Sequence, residues 1–581
     1  MSINEFHRNI IVTLLIAIVC LFVGLDIIFF FTRLLPGDPV AAYLAAMGSH
    51  NPAQGLYQQI KCELGFCDPI IIQYFKYIGD LFTGNWRISV SLYRGTKVIS
   101  IFGEIIPKTV GLISLPLIIG GGLGVFLGRI SSRHRGTWKD KTIQLFSIVG
   151  ISLPVFFLGM AFQYVLCYEL RICEPSGISA LPIEILTFTL TAFITWQVRS
   201  YMIKKPHEKS LLSNTIKTGI NFSFIFILFL LVEETFDIYG YGTVLIAAFL
   251  QYDYFLMVGC LFVILIVFVI ITVISNLIFS YHISRRSESF EHNTEPRFDE
   301  EVNKVNSSAE NNPEESIKEY LLNRIKSPFS ILGVIFVLLF IFMGIFPQVI
   351  TQYSLSETLT PSSSEWGPPS SEHPLGQTVS GLDVLALIIW GIQDLLILSF
   401  GAVLIGLIGG SIFGFIAGKF NRWGYKLIMG LMVLFYIIPV IFLFIMIISI
   451  YGPFYWYGLL VIGFFLIPNF TRVIANAMSG EINIHKISKA VIIQIPLNFA
   501  IAIIIYTAIG FLGLYPLYSV LELENQPIQL GSVVRMGGIF LSEAPWASLW
   551  PGLTIFGIIL SFLLLYIGLQ DYQSKRRAEI D

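Results

Sequence analysis

Apolar residues gather along this chain in long runs broken by short polar intervals. Runs of about 20 residues are long enough to cross a ~30 Å hydrocarbon core as helices. The pattern predicts spans near 9–32, 108–128, 142–167, 181–197, 219–238 and 256–281, and again near 327–349, 395–418, 427–450, 455–475, 490–514 and 550–569. About twelve spans place both termini on one side of the membrane. One interval is different in kind. Arg285–Asn323 is charged, rich in Ser, Asn and Glu, and almost free of large apolar residues until Tyr320. Such a stretch cannot bury enough surface to fold alone and reads as a flexible cytoplasmic linker. The predicted fold is therefore an all-α membrane protein of two parallel halves of about six spans each. The expected divisions are 1–284 (with an external interval at 33–107), a linker at 285–325, and 326–581.

Composition agrees with the pattern. Of 581 residues, 55% are hydrophobic and 13% charged, with a mean hydropathy of +0.76. Soluble domains carry roughly a quarter charged residues. The first run follows a short N-terminus bearing Arg8, exceeds a signal-peptide core and lacks a small-x-small site behind it. It is read as an uncleaved first span.

Charge chooses the side. With the N-terminus inside, short inside loops carry Arg129, Arg133, Arg135, Lys139 and Lys141, then Arg199, Lys204, Lys205, Lys209 and Lys217. The second half adds Lys419, Arg422 and Lys426, then Arg472, Lys486 and Lys489, and finally Lys575, Arg576 and Arg577. Short outside loops offer little beyond Arg171 and Arg535. The excess of Lys and Arg predicts cytoplasmic termini in a cell-membrane protein. Because the charges are sorted by loop, a lipid bilayer and not a nucleic acid is the expected partner.

Six cysteines are present. Cys20 and Cys260 lie in apolar runs as small buried hydrophobes. Cys62/Cys67 and Cys167/Cys173 form close pairs outside the cytoplasm, where disulfides and free thiols both remain open readings. There is no CxxC, no Cys/His cluster with metal-ligand spacing, no HExxH and no GxSxG. No GxxxxGK(S/T) loop is present to cradle nucleotide phosphates. The glycines of Gly120–Gly124 lie inside a span, where they suit close helix packing better than phosphate binding. A transport subunit, not an enzyme, with no bound cofactor, is the expectation.

The halves echo each other. Pro154 and Pro439 interrupt corresponding apolar stretches, Arg199 and Arg472 each follow a fourth span, and each fifth span runs into a Gly-containing exit. Parallel repeats suggest a pathway at their interface. Intramembrane acids are costly and become functional candidates by default. Asp26 lies in the first span, and Glu233, Glu234 and Asp237 cluster at the outer end of the fifth. They fit either a cavity wall admitting a cationic peptide terminus or hydrated braces at the interface.

The order of motifs carries a resemblance along nearly the whole chain apart from the linker. In the first half these are LLPGDP at Leu34–Pro39, LGFCDPIIIQYFKYIGDLFTGN at Leu64–Asn85, IIPKTVGL at Ile105–Leu112, SLPVFFLG at Ser152–Gly159 and EETFDIYGYG at Glu233–Gly242, followed by Asp253. In the second they are HPLGQTVSGLDVLALIIWG at His373–Gly391, FLGL at Phe511–Leu514, APW…WPG at Ala544–Gly552 and GLQD at Gly568–Asp571. Together they resemble the dipeptide/oligopeptide/nickel class of ABC importer permeases. The first set is similar to one permease subunit and the second to its partner, so the chain looks like both fused.

The resemblance implies alternating access driven by two cytoplasmic ATPase subunits, which would carry ATP-Mg, and delivery of a small solute by an extracytoplasmic binding protein. It makes Phe156, with Asp26, Glu233, Glu234 and Asp237, candidates for the pathway. The ATPase-docking loops would be 199–219, with Arg199, Lys204, Lys205, His207 and Lys209, and 472–498, with Arg472, Glu481, His485 and Lys486. Neither loop has the family's Ala-Ala-x3-Gly core, and Thr378, Leu382, Leu387 and Gln393 stand where Asp and Arg are usual. A receptor or scaffold that has lost ATPase coupling is the rival reading. A transporter driven by protons at Asp26 or Glu233 is a third.

Overall fold

In the computed structural model the described residues are 3–35, 38–48, 54–177, 180–203, 211–291, 317–361, 366–419, 422–437, 439–452, 454–478, 484–514 and 528–578. The chain is helical throughout these segments, with only two isolated bridges, Ile88 to Lys97 and Gln377 to Asp383. Among the described residues ten helices are long and apolar enough to cross a membrane, and one bent pair passes the same test only when its two helices are taken together. The protein is a multi-pass, all-α membrane protein.

In the first half α1 spans Ile3–Leu34, and α2 (Pro39–Ala46), α3 (Gln54–Glu63) and α4 (Ile70–Thr83) follow outside the bundle. Then come α5 (Val98–Arg133), α6 (Trp138–Ser152), α7 (Val155–Phe162), α8 (Ala180–Ile203), α9 (Leu211–Thr235), the short apolar α10 (Tyr241–Leu250) and α11 (Tyr254–Glu291). After α12 (Ile317–Ile325), the second half holds α13 (Pro328–Ile345), α14 (Val384–Lys419), α15 (Arg422–Leu434), α16 (Val440–Tyr451), α17 (Tyr455–Ala477), α18 (Ile484–Phe511), α19 (Leu530–Gly538) and α20 (Trp546–Ala578).

Two expectations change here. The second span of each half starts earlier than the hydropathy run, at Val98 and Val384. Each is a 36-residue helix, about 54 Å at 1.5 Å per residue, so it stands well clear of a ~30 Å core. Glu104, Pro107 and Lys108 interrupt the apolar run in α5, where Pro107 and Pro116 do not end the helix, and Gln393 and Asp394 interrupt it in α14. The third span is not one rod. α6 and α7 meet at an 89° bend at Leu153–Pro154. The corresponding stretch of the second half is likewise two helices, α15 and α16, with Pro439 capping the second. Proline has no N–H to donate and crowds the preceding turn, so the helix breaks there.

The halves repeat their packing as well as their order. α5 packs most extensively on α8, as α14 does on α17, while α1 lies along α11 as α13 lies along α20. Glycine stripes allow the first contact. Gly120, Gly124 and Gly128 receive Leu190, Ile194 and Val198, and Gly406, Gly410 and Gly414 receive Leu466, Phe470 and Ile474. A Cβ on Gly124 would sit 2.7 Å from the Ile194 Cβ, and one on Gly414 2.8 Å from the Ile474 Cβ. Backbones this close exclude any side chain, the usual logic of membrane helix contacts.

The described part of the interval before α5 is held by specific contacts. The Asp253 carboxylate is fully buried. It accepts from the Ser89 hydroxyl and from the amides of Val90, Ser91, Leu92 and Leu256, so one acid pins the turn before α5 to the start of α11. Asp253→Ala orphans four amides at about 1–3 kcal/mol each. It is expected to raise protease cleavage between residues 87 and 97 by about tenfold or more, read by limited proteolysis of the purified chain. Both cysteine pairs are disulfides, Cys62–Cys67 and Cys167–Cys173, whereas Cys20 and Cys260 are free and buried.

The ends of the polar interval are helical. α11 runs on to Glu291, and α12 packs on the second half. There Arg324 donates to the Leu569 carbonyl at 2.7 Å, and the Tyr320 ring lies between Arg324 and Lys489. Residues 292–316 lie outside the described residues.

Candidate functional site at the seam between the halves

The two proline breaks decide how the halves meet. Each frees a short apolar helix, and that helix packs on the opposite half. From α7, Phe156 stacks on Phe511 with centroids 4.5 Å apart and planes 15° off parallel. Phe157 presses on Gly552, and Met160 on Gly538, with the Ser548 hydroxyl 3.0 Å from the Met160 sulfur. In return, Tyr436 packs on Gly219, Ile437 on Gly24, and Phe442 of α16 lies 4.9 Å from Phe226. The seam is thus filled by aromatic and aliphatic side chains contributed reciprocally. An ion pair joins the halves near the Phe156–Phe511 stack, with Glu234 at the end of α9 accepting from Arg535 of α19 at 2.8 Å. Arg535 also donates to the Phe511 carbonyl at 3.0 Å.

The acids singled out in the sequence have distinct settings. Asp26 accepts from the Tyr74 hydroxyl at 2.5 Å, which fastens α4 to α1. Burial first, and then the Asp26 hydrogen bond, push the Tyr74 hydroxyl up to about 12, so it remains a donor at neutral pH. Glu233 is fully buried. Its carboxylate takes the Thr109 hydroxyl at 2.6 Å and the amides of Gly242 and Thr243 at 2.6 and 3.3 Å. This brace holds α10 against α5 and α9. Asp237 is exposed, in a left-handed turn with φ of 48°. Of the group, Phe156 and Glu234 meet the opposite half.

The basic residues divide in a way the sequence did not disclose. Arg199 is spent inside its own half, its Nε and Nη2 donating to the two oxygens of Asp140 at 2.7 and 3.0 Å. The Ser131 hydroxyl supports that carboxylate at 2.5 Å. This nearly buried pair ties the end of α5, the start of α6 and the end of α8 together, and removing one partner of such a pair costs about 3–5 kcal/mol. Asp140→Asn is therefore expected to lower the thermal unfolding midpoint of the purified chain by several degrees and to cut its yield.

Arg472 is half-buried, with Nη2 on Asn469 at 3.3 Å. Neither guanidinium stands out into the loops as a docking group. His485 and Lys486 at the start of α18 are exposed. Lys204, Lys205, His207, Lys209 and Glu481 lie outside the described residues.

No group of three or more His, Cys, Asp or Glu among the described residues is placed to hold a metal ion. Two similar helical halves are joined face to face by exchanged apolar helices, with no catalytic constellation in the described seam.

Comparison with known proteins gives the class its family. Residues 410–485, from α14 to the start of α18, match the model of the binding-protein-dependent transport system inner membrane component. The chain is 31% identical over 268 residues to the dipeptide transport system permease protein DppC of Alkalihalophilus pseudofirmus, an overlap of 42% of this chain and 85% of that protein. It is 30% identical over 191 residues to the dipeptide transport system permease protein DppB of Lactococcus lactis subsp. cremoris, covering 32% of this chain and 60% of that protein. To the nickel import system permease protein NikB of Staphylococcus aureus it is 26% identical over 290 residues, 45% of this chain and 86% of that protein. The chain belongs to the dipeptide- and nickel-type family of ABC importer permeases.

Proposed function

We propose that this chain is the complete membrane core of an importer, with both permease halves in one polypeptide. It would move peptides or similar small solutes inward by alternating access. The observation that carries the reading is the reciprocal seam. α7 of one half and α16 of the other each cross onto the opposite partner, so a rotation of the halves must move both at once. Relatives of DppC and NikB type each overlap less than half of this chain, which leaves length for two such subunits. The Lys and Arg excess puts the termini and the loops 199–219 and 472–498 in the cytoplasm. There two separate ATPase subunits, carrying ATP-Mg, would press on them. The disulfides and α2–α4 then face the outside, where an extracytoplasmic binding protein would deliver the solute.

The test is purification of the tagged chain in mild detergent with its associated proteins, together with ATP turnover. Two ATPase subunits, and turnover raised by a binding protein, are expected. Replacing 199–219 by an inert loop of equal length should abolish uptake. A chain that arrives without ATPases and turns over no ATP overturns the reading in favour of a receptor, which the absent Ala-Ala-x3-Gly core favours.

A further inference from the structure

The side chains of α4 sort into three faces at helical spacing. Tyr74, Tyr77 and Leu81 turn to the bundle, where both tyrosine rings meet Phe29 at centroid distances of 5.1 and 5.4 Å and Leu81 is buried. Gln73, Lys76 and Asp80 form a polar face. Gln73 accepts from Arg33 at 3.0 Å, Lys76 pairs with Asp68 at 2.6 Å, and Asp80 accepts from Asn85 and Arg87, each at 2.9 Å. The third face is apolar, made of Ile71, Phe75, Ile78 and Phe82. Its members Ile71 and Phe75 are 64% and 66% exposed. A helix with one dry face outward needs an apolar neighbour there.

The level at which α4 sits identifies that neighbour. On α1, Leu15, Val19, Phe22, Asp26, Phe29 and Arg33 form one stripe at intervals of three and four. The first three are about half exposed (56%, 52% and 49%), as a lipid-facing stripe should be, whereas α4 covers the last three. Lipid on this face of α1 therefore reaches the underside of α4. The depth agrees. A ~30 Å hydrocarbon core is about 20 residues of helix. Counted from Arg8, the last charged residue before the apolar run, it ends near Ile28, and Tyr74 meets α1 at Asp26. At the other end of α4, Phe82 meets Phe262 of α11 at a centroid distance of 5.4 Å. Phe262 lies eight residues in from Tyr254, the start of α11, as Asp26 lies eight residues in from Leu34, the end of α1. α4 thus lies flat across two spans at the edge of the hydrocarbon.

We propose that α4 is a lipid-seated helix, with Ile71, Phe75, Ile78 and Phe82 lying among the acyl chains of the leaflet opposite the N-terminus. The partner is the bilayer itself, continuous with the lipid that covers Leu15, Val19 and Phe22. A helix at this boundary buries its apolar side about 5–10 Å into the headgroup and acyl region. Lys76 and Asp80 then stay in water. Asp80 in turn holds Asn85 and Arg87, which lead into the turn pinned by Asp253, so the membrane surface sets the height of that turn. The inference is separate from the transport reading and holds without it.

The test places a fluorescent bimane on the full-length chain in lipid nanodiscs through Phe75→Cys, with Lys76→Cys as the partner on the polar face. Cys20 and Cys260 are buried and the other cysteines are in disulfides, so the label goes to the new thiol. Lipid brominated near the headgroup end of its acyl chains is expected to dim the Phe75→Cys probe about twofold or more, because immersion puts it within contact of the bromines. Aqueous iodide should leave that probe nearly unchanged and quench the Lys76→Cys probe strongly. A Phe75→Cys probe quenched by iodide and not by the brominated lipid overturns the proposal, since the face then stands in water. A probe shielded from both quenchers overturns it too, since a second copy or another protein then covers the face. If Phe75→Cys does not yield a folded chain, Ile71→Cys, on the same face, decides by the same two outcomes.

Discussion

A chain carrying Phe156→Cys and Phe511→Cys, bridged by a short bifunctional methanethiosulfonate, is expected to lose uptake by about tenfold or more and to recover it on reduction. The two rings belong to opposite halves and stack 4.5 Å apart. A covalent tie between them holds the seam in the arrangement seen here, and an importer that cannot rearrange its halves cannot release or admit solute. Cleavage at a protease site placed in the polar interval then reports the cross-link on a gel, because the halves stay joined until reduced. Cys20 and Cys260 are buried and give little background. Uncross-linked, the double variant forfeits the stacked pair, worth about 0.5–1.5 kcal/mol beyond its buried area. Its uptake should change by no more than several-fold. Full uptake by the cross-linked chain would mean that the two halves do not part at this stack.

Glu233→Ala is expected to loosen the packing of α10 against α5 and α9 and to be strongly destabilising. It orphans the amides of Gly242 and Thr243, at about 1–3 kcal/mol each, for a loss on the order of 2–6 kcal/mol. The Thr109 hydroxyl loses its acceptor as well. The variant should accumulate poorly and unfold at a midpoint well below that of the parent in detergent. Glu233→Gln keeps one carbonyl oxygen for the amides and should recover much of the loss. A Glu233→Ala chain of unchanged midpoint that fails only in uptake would instead make this carboxylate part of the passage.

Much of the architecture was legible beforehand because membrane insertion demands a local signature. Each span must be apolar over ~20 residues. The polar interval after Arg285, the proline breaks and the packing role of Gly120–Gly124 were visible for the same reason. The early starts of α5 and α14 were not, since Glu104, Pro107 and Lys108 interrupt the apolar run of α5 and Gln393 and Asp394 that of α14. The acids at 233 and 234 read alike in the sequence. One proved to be a buried brace within a half and the other an ion pair between halves. Their difference lies in partners far along the chain.

By itself, then, the sequence determined the class of the protein, an all-α membrane chain with many apolar spans, and the positions at which helices must break. Only the tertiary structure decided which half each broken helix packs on, and that Asp253 rather than a loop motif organises the outer turn. It also decided that Arg199 is neutralised by Asp140 while Arg472, one turn out of register with it, reaches only as far as Asn469 on its own helix among the described residues. The reason is physical. Hydropathy and backbone chemistry act residue by residue, whereas the fate of a buried charge depends on what a distant helix brings within about 3 Å of it.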